Sequence, residues 1–234
     1  MAAADSTKKV LVVVTNWAKL GETGKKTGWY LPEVAHPFEV FTKAGFAVEF
    51  ASPKGGEAPM DPSSGEAFAE DPVCKAFLAN ETATAAIKAT KPIAECEPLD
   101  YAAVCVAGGH GPMWDLPGDE AFNGFVAKAY EGGKVVSAVC HGTVGLLNVK
   151  LSTGKFLIDG RKVTSFSNAE EDAVSLSSVM PFMLETELVG RGAEYSKAAE
   201  QWGEHVVVDG RIVTGQNPAS ATAMAEAVVK AIAA

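Results

Sequence analysis

Cysteine and aromatic residues are scarce in this 234-residue chain: four cysteines, and 8% Phe, Trp and Tyr together. None of Cys74, Cys96, Cys105 and Cys140 forms a Cys-x-x-Cys pair, and none has the spacing of a Cys/His metal site. A zinc module is therefore excluded, no metal is expected, and in a reducing compartment the thiols read as small buried hydrophobes. No cluster of Lys or Arg stands out, and the net charge is −9. That balance argues against nucleic acid or an anionic membrane as the main partner. No apolar run approaches the ~20 residues that span a bilayer. The stretch Met1 to Lys9 is small and polar and lacks the apolar core of a secretory signal. Residues 1–8 read as a flexible leader on a cytoplasmic protein and 9–234 as a single domain, with no repeat and no low-complexity linker.

Hydrophobic content of 47% supports a large core, and its arrangement is that of an α/β chain. Lys9 to Thr15 is a continuous apolar run, the pattern of a parallel strand covered on both faces. Pro32 opens a predicted helix that runs to Ala44 and stops at Gly45, with Val34, Phe38 and Phe41 at helical spacing. Phe46 to Ser52 is the second predicted strand, and the unit is a β-α-β crossover. Residues 53–72 are rich in Gly, Pro and Ser and read as a surface excursion, followed by two short helical patterns to Thr90. Further strands are predicted at Asp100–Ala107 and Val135–Val139, with a helix from Asp119 to Gly132 between them. Asp-Gly pairs predict hairpins over Lys155–Thr164 and His205–Thr214, and an alanine-rich helix closes the chain. Alternating strands and helices predict a helix–sheet–helix sandwich with ligands beyond the carboxyl ends of the strands. The segments after Thr15, Ala107 and Val139 belong to that rim, and Trp17, Trp29, Tyr30 and Trp114 lie in nearby loops.

One stretch carries chemistry. Val135–Val139 ends abruptly at Cys140, and His141-Gly142 then opens a predicted helix. Such a strand–turn–helix corner presents a side chain from a strained backbone position. The amides that follow and the positive helix end are expected to lower the thiol pKa there. Gly108-Gly109-His110-Gly111 lacks the order of a dinucleotide fingerprint and reads as a tight turn or as amide donors for an oxyanion. Gly21 to Thr27 fails the spacing of a phosphate loop. Glu33, in the first turn of its helix, is either a complement to the helix dipole or a carboxyl at the Cys140 rim. Glu170 and Glu171 either open a solvated helix or supply the carboxylate that holds His141 in one tautomer, and spacing does not choose between them. His36 and His205 receive no role; Met180, Phe182, Met183 and Leu184 read as core or dimer contact.

Taken together, Ala138-Val139-Cys140-His141-Gly142, Ala107-Gly108-Gly109-His110-Gly111, Asp115-Leu116-Pro117 and Pro32-Glu33-Val34-Ala35-His36-Pro37 resemble the ThiJ/PfpI superfamily. More narrowly, they resemble its glutathione-independent glyoxalase branch, which includes heat-shock chaperones. Residues 166–171, 181–185 and 214–220 match the same branch. The resemblance implies a flavodoxin-like sandwich with a mostly parallel sheet, a homodimer, and no redox cofactor. It places the nucleophile at Cys140, its histidine at His141, the helix glutamate at Glu33, and the triad acid best at Glu171, with Glu170 the other candidate. Gly109 and His110 then bind substrate or oxyanion, with the His141 amide. The implied reaction turns a small 2-oxoaldehyde, methylglyoxal or glyoxal, into lactate or glycolate through a cysteine hemithioacetal. Competing readings are a holding chaperone with unfolded protein clients, a deglycase, a cysteine peptidase or amidotransferase, and a redox sensor.

Overall fold

In the computed structural model, residues 8–234 are described. The expected leader falls on 1–7, outside them, and on Lys8, whose carbonyl accepts from the Ala47 amide. The elements of the first half are β1 (Lys9–Val13), α1 (Leu31–Lys43), β2 (Ala47–Ser52), α2 (Pro62–Ala67), α3 (Pro72–Ala79), α4 (Glu81–Lys88), β3 (Lys91–Pro92) and β4 (Tyr101–Val106). Then come α5 (Pro112–Asp115), α6 (Glu120–Glu131), β5 (Val135–Val139), β6 (Lys162–Val163), α7 (Asn168–Ala173), α8 (Leu184–Gly190), β7 (Glu194–Tyr195), β8 (Val206–Asp209), β9 (Ile212–Gly215) and α9 (Ala221–Ala233). Seven strands form one sheet in the order β3-β2-β1-β4-β5-β9-β8, parallel except for the β8–β9 hairpin. A second, two-stranded sheet pairs β6 with β7.

Two cores form because the strands are apolar on both faces. Along β1, Leu11 and Val13 pack on one side, whereas Val10 and Val12 pack on the other; all four are fully buried. In β4 the same alternation sends Val104 and Val106 one way and Ala103 and Cys105 the other. α6 and the Leu146–Ile158 segment cover the first face, and α1, α3 and α9 cover the second. β1 lies between β2 and β4, so successive crossovers diverge there. This is the switch point at whose carboxyl edge α/β folds bind ligands.

The α/β sandwich agrees with the expected fold class, and three local features differ from expectation. Residues 53–72 are not a plain surface excursion. Asp61 caps α2 by accepting from the Ser63 amide, and Ser64 Oγ accepts from the Leu31 amide, fastening the start of α1. No hairpin forms around Asp159-Gly160: β6 is two residues long and pairs in parallel with β7. Consecutive Leu157 and Ile158 are both buried in one core, and a strand would have sent them to opposite faces. The turn after β5 is a 3-10 helix, Cys140–Leu146, rather than an α-helix. A Cβ at Gly142 would lie 2.4 Å from the Val106 carbonyl oxygen, so the segment is pressed too close to β4 for ordinary side chains.

Candidate active site

Three loop ends meet above the switch point. β5 delivers Cys140 in the left-handed region, φ 57°, a costly conformation for a non-glycine residue that aims its side chain away from the strand. β4 delivers Gly108 and Gly109. A Cβ on Gly108 would lie 2.5 Å from Glu33 Oε2 and 2.9 Å from the His141 nitrogen, so only glycine permits this approach. Gly109 has φ +91°, and its missing side chain makes room for the Gly28 carbonyl. α1 delivers Glu33 from its first turn, and Pro37 leaves the Glu33 carbonyl without its intrahelical donor.

These parts line one pocket of about 140 Å³ that holds Glu33, Gly109, His110, Cys140 and His141. Glu171 stands behind the histidines. Cys140 Sγ is 3.4 Å from His141 Nδ1, and His141 Nε2 is 2.5 Å from Glu171 Oε2. His110 Nε2 is 3.0 Å from the other oxygen, Oε1. Because the carboxylate accepts, Nε2 of His141 carries hydrogen and Nδ1 turns its lone pair to the thiol. The two imidazoles lie 4.2 Å apart, and His141 packs 4.5 Å from the Phe166 ring.

Glu170 occupies a different place. Its Oε2 accepts from the Ser167 amide and hydroxyl, closing a capping box at the start of α7, and its Oε1 accepts from Asn217 Nδ2 and the Trp202 amide. Glu170 is thus a structural clasp, and Glu171 is the carboxylate that contacts His141.

Burial governs the site's electrostatics. It pushes the Glu33 carboxyl up to about 8, against the opposing pull of the Cys140 thiol and the Gly108 amide, which donates to Oε2 at 2.9 Å. Glu33 is therefore a neutral acid at neutral pH, and its Oε1 is buried without a partner among the described residues. Burial and the Glu33 carboxyl push the Cys140 thiol well above its ordinary value, while the His141 amide pulls it down. The sequence-based expectation of a lowered thiol pKa is corrected here. The sulfur is buried and has lost the water that would solvate a thiolate, and the Glu33 carboxyl beside it adds to the same direction. Burial, then neighbouring His110, lowers His141, so its imidazole is neutral. Burial tends to raise Glu171, but His141 and His110 outweigh it and hold that carboxyl well below the usual range.

Sequence reasoning placed Cys140, His141, Glu33, Glu171, Gly109 and His110 at one rim, and the structure brings all six together. Of the rim-loop aromatics named from the sequence, Tyr30 lines the pocket; the rest of its wall, Phe166, Val174, Trp202 and Pro218, was not foreseen. Burial, then Glu33 and Cys140, raises the Tyr30 phenol to about 12, so it remains a donor. Trp202 comes from a polar loop where its own size was the available signal. Trp17 and Trp114 stack on each other at 6.1 Å, and the buried Trp29 indole donates to the Ala58 carbonyl; none of the three lines the pocket. Among the described residues, two groups place three potential metal donors within 4.8 Å of one another, His110–His141–Glu171 and His36–Asp71–Cys74. In the first, both imidazoles direct Nε2 to Glu171 as hydrogen-bond partners. Among the described residues no helix is long and apolar enough to cross a membrane.

The sequence profile of the DJ-1/PfpI family matches residues 27–231. The chain is 34% identical over 230 residues to Glyoxalase 3 of Candida albicans, covering 95% of this chain and 98% of that protein. It is 32% identical to the glutathione-independent glyoxalase HSP31 of Saccharomyces cerevisiae, over 92% and 93% of the two chains. Among solved structures, glyoxalase III from Candida albicans superposes with a TM-score of 0.89 at 34% identity, over 97% and 98% of the chains. Rapid Encystment Protein 24 KDa of Francisella tularensis superposes with a TM-score of 0.91 at 38% identity, over 96% and 99%.

Proposed function

This chain belongs to the DJ-1/PfpI family, and from that premise we propose that it is a glutathione-independent glyoxalase with Cys140 as nucleophile, converting methylglyoxal to lactate and glyoxal to glycolate. The carrying observation is the thiol held between two proton carriers, His141 Nδ1 at 3.4 Å and the neutral, buried Glu33. Full-length relatives named as glutathione-independent glyoxalases support the same reading.

The geometry supports a balanced sequence of steps. Cys140 Sγ bonds to the aldehyde carbon C1 while its proton passes to His141 Nδ1 and on to the carbonyl oxygen. The product is a hemithioacetal with a hydroxyl on C1. A thiol protonated at rest suits this step, because sulfur and proton are delivered together. Restored to its neutral tautomer, His141 takes the hydrogen of C1 as Glu33 donates its proton to the C2 oxygen, giving an enediol. His141 then returns its proton to C2, and Glu33 takes the proton of the C1 hydroxyl. C1 becomes a thioester carbon and C2 a secondary alcohol carbon (primary from glyoxal). C1 is oxidised and C2 reduced, so no external redox partner enters. Water cleaves the thioester and frees the 2-hydroxy acid and the thiol. Charge on oxygen falls to the amides of Gly109 and His141, in a site that excludes most water. Glu171 holds His141 in register throughout.

Incubation of the purified protein with methylglyoxal, without glutathione, tests the proposal. Lactate is expected from the native chain and none from Cys140→Ser; unchanged lactate output from that variant would overturn the assignment. The reading includes a cytoplasmic homodimer, for which sedimentation at micromolar concentration is the check.

A further inference from the structure

The wall that closes the Cys140 pocket also bounds a larger cavity. Tyr30, Trp202 and Pro218 line both spaces, and the second encloses about 420 Å³. Trp202 rises from a loop position at φ 64° and is 45% exposed, so this shared rim is not sealed by core packing.

The two spaces differ chemically. The lining above the thiol is mostly aromatic and aliphatic. The far side of the larger cavity is polar: His36 Nδ1 lies 2.9 Å from Thr222 Oγ1, and His36 Nε2 lies 3.2 Å from Asp71 Oδ2. Asp71 Oδ1 is occupied by the Val73 and Cys74 amides at the start of α3, while Oδ2 faces His36, with the Cys74 thiol close to the carboxylate. Thr222 Oγ1 retains hydrogen-bonding capacity. The Tyr30 and Phe68 rings, 5.9 Å apart and edge to face, complete an aromatic side.

We propose that this cavity is a subsite for the hydroxylated tail of longer, sugar-derived 2-oxoaldehydes, whose reacting carbons occupy the Cys140 pocket. The inference rests on the glyoxalase reading and deepens it by naming a substrate class. C1 must reach Sγ in a pocket of about 140 Å³, one third the volume of its neighbour, so a chain that grows beyond it crosses the shared rim of Tyr30, Trp202 and Pro218. Beyond them it meets acceptors for its hydroxyls, at Asp71 and Thr222, and ring faces for its C–H bonds. An alkyl tail would strip water from Asp71 and Thr222 without replacing the lost hydrogen bonds, which carries a net cost.

The test compares methylglyoxal, 3-deoxyglucosone as a six-carbon hydroxylated probe, and 2-oxohexanal as its alkyl counterpart, with kcat/KM expressed per open-chain aldehyde. The native protein is expected to prefer 3-deoxyglucosone over 2-oxohexanal by about tenfold, the scale set by buried polar groups left unpaired. Thr222→Leu should lower the ratio of kcat/KM for 3-deoxyglucosone to that for methylglyoxal by about tenfold, through KM. An equal or better rate with 2-oxohexanal, or an unchanged ratio in Thr222→Leu, overturns the subsite. The native comparison needs no variant, so it decides the matter even if Thr222→Leu fails to fold. Failure on methylglyoxal itself would sink the glyoxalase reading; turnover of methylglyoxal without 3-deoxyglucosone sinks the subsite alone.

Discussion

Glu171 grips His141 through a 2.5 Å contact between Oε2 and Nε2, and the opposite ring nitrogen of that histidine faces the Cys140 sulfur. The carboxylate itself does not line the pocket; it contacts two residues that do, His141 and His110. In the proposed mechanism its effect passes through one imidazole tautomer, which gives a positioning role a defined signature.

Replacing Glu171 by Ala should lower kcat by about 10²-fold or more, because the tautomer with a free Nδ1 is no longer enforced. KM should change little, and circular dichroism should report an intact fold. Glu170→Gln should show the opposite balance. Its two oxygens fasten Ser167, Asn217 and the Trp202 amide. A lower melting temperature and a raised KM are expected, with kcat less affected than in Glu171→Ala. If the two variants exchanged these profiles, the assignment of roles would be reversed.

Activity should decline as pH rises through about 8, where Glu33 loses the proton it donates. Stability follows the same carboxyl. Its folded value lies above the 4.5 of the unfolded chain, so the folded state is favoured by the bound proton. That contribution is fully present below 4.5 and is lost progressively as pH rises to about 8. Glu33→Gln should flatten this slope in urea titrations while abolishing lactate formation at every pH.

Alkylation of native Cys140 should be slow at pH 7 and accelerate steeply toward higher pH, because burial and Glu33 keep the thiol protonated. Peptide mapping after iodoacetamide treatment reads this directly. Rapid modification at pH 6 would show that the thiol rests as a thiolate.

Gly109→Ala should destabilise the protein by roughly 2 kcal/mol or more, as expected for a side chain forced into a strained backbone position. The new Cβ would lie 2.2 Å from the Gly28 carbonyl oxygen at φ +91°. Urea denaturation measures the loss. A variant as stable as the native chain would mean that the loop after β4 has room to shift.

Much of the molecule was legible in the residue order because its signals are local. Continuous apolar runs marked β1, β4 and β5, Pro32 and Gly45 bracketed α1, and Asp209-Gly210 made the β8–β9 hairpin, in which Asp209 pairs with Ile212. The apolar run ending at Cys140 located the proposed nucleophile. Where the reading failed, a distant partner had decided. The Asp159-Gly160 pair looked like a hairpin, yet the Gly160 amide donates to the Gly192 carbonyl, and Leu157 and Ile158 are drawn together into the core. The segment after Cys140 looked α-helical, yet the approach of Gly142 to β4 holds it as a 3-10 turn.

The residue pattern by itself determined the α/β sandwich and the edge at which the candidate site forms, since strand ends and tight turns are written in neighbouring positions; the set of residues expected there came with the family resemblance. The choice of Glu171 over Glu170, the neutral state of Glu33 and Cys140, and the aromatic wall with a polar cavity beyond it were decided by tertiary structure. Each depends on which groups from remote segments exclude water from one another, and no spacing along a chain encodes desolvation.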